Sequence, residues 1–166
     1  MMKKHFRGFA LAAAASAALL AALPAASSAK EITVAVSATF STLDPYDAPD
    51  ILTRLAAKSM YEGLFSLDYK MQLVPELAES YTVTPDAKVF TITLKKGVKF
   101  HDGTEFTADA VKMNFDRLLN PDNHLSRYQV YKFIDKVEVV DPYTVRFTLK
   151  GPLATFPRRL AMSSTQ

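Results

Sequence analysis

Between Val89 and Leu94 the chain alternates Phe90, Ile92 and Leu94 with Thr91 and Thr93. Successive side chains of a strand point to opposite faces, so this period of two requires a sheet with one face buried and one wet. Lys95-Lys96-Gly97 then reads as a turn, and Val98 to Phe100 resumes an extended run. Further on, Val137 to Val140 and Val145 to Leu149 flank Asp141-Pro142-Tyr143-Thr144. Proline suits the second position of a β-turn, so the pair is expected to form a hairpin. Nearer the start, Ile32, Val34 and Val36 alternate with Thr33, Ala35 and Ser37 and predict another one-faced strand.

Helical spacing fills the intervals. Thr39 to Pro49 is rich in Ser, Thr, Asp and Pro and reads as a loop. From Ile51 to Met60, the residues Ile51, Leu52, Leu55, Ala56 and Met60 fall on one helical face. A second helix is bounded by its own signals. Thr107 is placed to cap the first-turn amides, and Asp109 complements the positive end of the dipole. Ala110, Val111, Asn114, Phe115, Leu118 and Leu119 share a face that reads as core, and Asn120-Pro121 stops the helix.

Charge restricts the classes of function. The chain of 166 residues carries a net charge of +3, but Lys3, Lys4 and Arg7 all precede the first acid, Glu31. Without those three, the remaining Lys and Arg equal the 17 acids, so the body is formally neutral. A neutral body has no electrostatic reason to seek phosphate, which argues against nucleic-acid binding. The basic stretch Met1–Arg7, the Ala- and Leu-rich run Phe9–Leu23, Pro24 and the small residues Ala25–Ala29 follow the order of a secretory signal peptide. The apolar run is shorter than the roughly 20 residues of a membrane span. Cleavage is expected after Ala29, which leaves no membrane anchor. With no cysteine in the chain, disulfides, thiolate sites and a lipidated cysteine are all excluded, and a periplasmic location is expected.

His101-Asp102-Gly103 is the one place that invites an enzymatic reading. Neighbours on an extended segment point apart and do not converge on one substrate atom. Asp-Gly between Phe100 and Phe106 is better explained as a tight turn that uses glycine's tolerance of positive φ. His124 stands alone, and no phosphate loop, His-Glu metal motif or nucleophile elbow occurs. No enzyme activity, metal or cofactor is expected, and a secreted hydrolase is the distant alternative.

Longer stretches carry a family resemblance. Leu77-Ala78-Glu79-Ser80-Tyr81, the run from Phe90 to Thr104 with its Lys95-Lys96-Gly97 and Phe100-His101-Asp102-Gly103-Thr104, and Phe106 to Val111 resemble the signature of dipeptide- and oligopeptide-binding proteins of ABC importers. Leu43-Asp44-Pro45, Tyr61-Glu62-Gly63-Leu64 and Tyr143 to Lys150 add to it. Val34 to Asp47, Asn120 to Leu125, Arg127 and Tyr128 look most like the glutathione-binding members. The sequence departs from the pattern at Tyr81, Glu105 and Ala110, where the family favours tryptophan, proline and an acid.

The resemblance implies an α/β fold, mixed α+β in an extra subdomain, of the two-lobed periplasmic-binding-protein type. Residues 1–29 are then the signal peptide. Residues 30–60 are the first strand, loop and helix of lobe one, and 61–166 an extra subdomain that is incomplete at its end. A truncated product or an incomplete gene model is the corresponding expectation. The implied ligand contacts are Thr39, Phe40, Asp47, Asp50, Arg54, Arg127, Tyr128, Ser163 and Ser164, each with a solvated surface side chain as its competing reading. The implied partners are a glutathione-like short peptide and an inner-membrane ABC permease, with the protein as a monomer. A dipeptide, an oligopeptide or a nickel chelate is the alternative ligand.

Overall fold

Phe90, Ile92 and Leu94 are at most 1% exposed, while Thr91 and Thr93 between them are half-buried. This strand, Val89–Leu94, lies within a four-stranded antiparallel sheet of the computed structural model, which describes Thr33, Ala35, Thr39 and residues 41–162. Contacts divide the chain after Val36, and the unit from Ser37 onward is the body described below.

In chain order its elements are α1 (Ile51–Ala57), β1 (Phe65–Leu67), β2 (Leu73–Pro75), β3 (Ala78–Val83), β4 (Val89–Leu94) and α2 (Ala108–Leu119). A 3-10 turn (Pro121–Asn123), α3 (Tyr128–Tyr131), β5 (Ile134–Asp141), β6 (Thr144–Leu149) and α4 (Phe156–Met162) follow. The large sheet has the order β3-β4-β6-β5, and β1 pairs with β2 in a separate ribbon. All described pairings are antiparallel. The sequence expectation of mixed α+β therefore holds.

Register explains the single covered face. Phe90 lies opposite Phe147, while Thr91 lies opposite Arg146 and Thr93 opposite Thr144. The Phe147 ring meets Phe115 of α2 at 4.9 Å and Phe156 of α4 at 5.3 Å, so both helices share one side of the sheet. Aromatic pairs in such tilted and edge-on arrangements add to the area they bury. The hairpin expected around Pro142 forms as read, with Asp141 opposite Thr144.

Helix α2 buries Val111, Phe115 and Leu118 of the expected stripe and half-buries Ala110 and Leu119, while Asn114 is exposed and Ala108, outside the stripe, is buried. It stops before Asn120-Pro121 as expected, because a residue before proline is pushed out of the helical region. Thr107 holds the cap position, but its side chain makes no capping hydrogen bond. The Ala108 amide instead donates to the Pro142 carbonyl at 2.9 Å, and the Thr107 carbonyl accepts from Ala110. The hairpin turn supplies a partner that the sequence reading assigned to the hydroxyl.

The first helix corrects a second expectation. It ends at Ala57, and it buries Thr53 and Ala57 instead of the apolar stripe. Ile51 is 67% exposed and Leu55 60%, with Met60 also exposed beyond the helix. Asp50 fixes the rotation of the helix: it caps the Thr53 amide and holds that side inward beside Ser41. The Ile32, Val34 and Val36 strand lies outside the described residues, and Thr33 and Ala35 are exposed and in no element. The signal-peptide expectation also lies outside them. Among the described residues no helix is long and apolar enough to cross a membrane.

Candidate ligand-binding surface

The loop before α1 is held by its own polar residues. Asp44 Oδ1 accepts from the Tyr46 amide at 3.0 Å, and the Asp44 carbonyl from the Asp47 amide at 3.1 Å. An Asp side chain that bonds the amide two residues on builds a turn without help from secondary structure. The bend sends the Tyr46 ring into the core, where it is 2% exposed, and burial pushes its phenol well above the usual tyrosine range.

Two contacts join this loop to the segment after α2. The Tyr46 carbonyl accepts from the Arg127 amide at 3.0 Å. Asp47 Oδ1 accepts from the Ser126 amide at 3.2 Å and from its hydroxyl at 2.9 Å. The segment is itself shaped locally. Asn120 Oδ1 caps the 3-10 turn through the Asp122 amide, and His124 reverses the chain at φ +51°. The structure thus brings Asp47 beside Ser126, Arg127 and Tyr128, from stretches 79 residues apart. Arg127 and Tyr128 are both half-buried.

Asp50 and Arg54 stand at the other end of the loop, on α1. Asp50 is engaged in the fold: Oδ1 accepts from the Thr53 amide, and Oδ2 from the Ser41 and Thr53 hydroxyls. Arg54 Nη1 donates to the Pro49 carbonyl at 3.1 Å. Thr39 is exposed, and Phe40, Ser163 and Ser164 lie outside the described residues.

Asp44 also pairs with Arg117, a contact the sequence reading missed because nothing local links the two. Nη2 forms an ion pair with Oδ2, and Nη1 lies 3.4 Å from Oδ1. Burial pulls the Asp44 carboxyl upward, but the Arg117 guanidinium and the amides of Tyr46 and Asp47 together hold it below the usual aspartate range.

A cleft of about 810 Å³ adjoins the loop at Asp44 and Tyr46 and is lined further by Leu43, Met60, Tyr61, Phe100, Phe106 and Arg117. None of the ligand contacts implied by the resemblance borders it. Its size alone does not make it the site: four of these apolar walls, Leu43, Met60, Tyr61 and Phe100, are themselves exposed. His101-Asp102-Gly103 is the turn expected, with Gly103 at φ +87° and its amide on the Phe100 carbonyl. Asp102 Oδ1 accepts from the Thr104 amide and hydroxyl, which closes the turn. Glu105, one of the three departures from the family pattern, accepts from the Tyr143 hydroxyl.

Residues 72–166 match the family model of bacterial extracellular solute-binding proteins, family 5 (middle region). The chain is 55% identical over 155 residues to the glutathione-binding protein GsiB of Salmonella choleraesuis, a match that covers 93% of the chain and 30% of that protein. The chain therefore spans about 30% of the length of this curated relative. Among solved structures it is similar to AgaA of A. tumefaciens R10 in complex with agropinic acid, at TM-score 0.71 and 37% identity, over 76% of this chain and 26% of that one. It is also similar to the ABC transporter-associated periplasmic binding protein DppA of Helicobacter pylori in complex with the peptide STSA, at TM-score 0.66 and 30% identity, over 76% and 28%. With sequence and fold in agreement, the chain belongs to the family 5 bacterial extracellular solute-binding proteins.

Proposed function

We propose that the full-length protein captures glutathione or a similar short peptide in the periplasm and delivers it to an inner-membrane ABC permease. The observation that carries this reading is the 55% identity to a glutathione-binding protein, long enough to run through both the Ser41–Asp50 loop and the Ser126–Tyr128 turn. Glutathione presents two carboxylates, and a guanidinium such as Arg127 pairs a carboxylate in a fixed geometry. Tyr128 offers a ring and a hydroxyl beside it. Capture would close two lobes on the ligand and shift the population to the compact state that the permease reads. Residues 61–166 would form the extra subdomain of the first lobe. In this reading the protein is a monomer without catalytic activity, exported by cleavage after Ala29.

A different short peptide is the second reading, supported by the likeness to DppA in its peptide complex. Isothermal titration of the full-length protein with glutathione, a dipeptide panel and a nickel–histidine chelate separates the two. Saturable 1:1 binding is expected, tightest for glutathione. Tighter binding of a dipeptide or the chelate, or no heat with glutathione, overturns the first reading.

A further inference from the structure

We propose that Arg117 is a positioning residue that locks the Ser41–Asp50 loop to the turn carrying Arg127 and Tyr128. The inference rests on reading that surface as ligand-facing. Arg117 lies in the last turn of α2, where its charge also suits the negative end of the helix dipole. Val111, Phe115 and Leu118 of the same helix are buried, so the position from which Arg117 reaches out is fixed by the core.

Arg117 holds both segments at once. Its guanidinium takes Asp44 through two nitrogens, which sets the orientation of the carboxylate as well as its distance. Its backbone carbonyl accepts from Asn123 Nδ2 at 2.8 Å, which ties down the turn after α2. The orientation of Asp44 has consequences further along. The same Oδ1 accepts the Tyr46 amide and so starts the bend that buries Tyr46. The Tyr46 carbonyl then receives the Arg127 amide, and Asp47 receives Ser126. Arg117, by its side chain at Asp44 and its backbone carbonyl at Asn123, therefore closes a ring of contacts that runs through Tyr46, Asp47 and Ser126. The direct bonds between the two stretches are thereby held in one register, and the stretches meet a ligand as one preorganised surface, which lowers the ordering cost of binding.

Hydrogen exchange on the full-length protein tests the clasp, with the β4 amides of Phe90 and Ile92 as internal references. In Arg117→Ala the Ser126 and Arg127 amides should exchange about fivefold faster, the scale of an exposed ion pair, with the references unchanged. Arg117→Lys should recover part of the protection, because it keeps the charge and loses only the second nitrogen. Glutathione affinity, or that of whichever panel peptide the wild type binds, should weaken by about the same factor in Arg117→Ala. Unchanged exchange at Ser126 and Arg127 overturns the clasp. Faster exchange with unchanged affinity overturns the positioning role. A wild type that binds nothing in the panel refutes the functional reading and the positioning role with it, while the exchange data still decide the clasp.

Discussion

Asp50 accepts from the Thr53 backbone amide at 2.7 Å and from the Thr53 hydroxyl at 2.8 Å, so one carboxylate caps α1 and fixes which of its sides turns inward. Thr53 is 2% exposed as a result, while Ile51 and Leu55 face outward. The Ser41 hydroxyl adds a third bond at 2.6 Å.

These bonds make the cap sensitive to acid. The Ser41 hydroxyl, then the Thr53 amide and hydroxyl, hold Asp50 down to about 2, against an ordinary 3.8. A carboxyl depressed by folding contributes stability that is complete above its unfolded value and lost as the pH falls through its folded one. The contribution of Asp50 should therefore be full above pH 3.8 and disappear towards pH 2. Asp44 is lowered too, but it is present in both proteins when wild type and Asp50→Asn are compared. Thermal melts from pH 5 to pH 2 should converge for the two at the acid end. A constant gap between them across that range would show that Asp50 does not titrate through the cap.

Phe147 is the residue on which the sheet and both covering helices meet. It is 0% exposed and packs against Phe115 and Phe156. Phe147→Ala should cost about 3–5 kcal/mol, since the rings from two helices cannot collapse into the space together. Urea denaturation followed by tyrosine fluorescence would measure the loss. A cost below about 1 kcal/mol would mean that the helices repack over the sheet.

Thr107→Ala should cost less than about 0.5 kcal/mol, at the bottom of the range for cap removals, because the hydroxyl makes no capping bond and the Pro142 carbonyl already holds the Ala108 amide. A cost of about 1 kcal/mol or more in the same denaturation assay would show that the hydroxyl caps the helix in solution.

Legibility in the sequence followed the range of the interaction. Strand β4, the β5–β6 hairpin, the buried stripe of α2 and the turns at Gly97 and Gly103 were readable because each is set by residues within a few positions of one another. Strands β1 and β2 were not, since three residues each are too few to show a period. Edge strand β3 hides its pattern by exposing five of its six residues. Helix α4 has Pro157 in its first turn, where the missing amide costs nothing, yet the proline reads locally as a breaker.

The candidate surface divides the same way. The polar composition marked a loop, which holds over residues 41–49, but not that Tyr46 would plunge from it into the core. The α1 periodicity was real, but a helix buries the face its neighbours accept, and a cap and two small residues chose a different one. The sequence by itself determined the local elements and their order, because periodicity, turn chemistry and proline act over a few residues. The tertiary structure alone decided the pairing of Arg117 with Asp44, the meeting of Asp47 with Ser126 and the use of Pro142 to cap α2. Each of these joins groups 34 to 79 residues apart or nearly so, and a contact at that separation exists only once the core between its partners has closed.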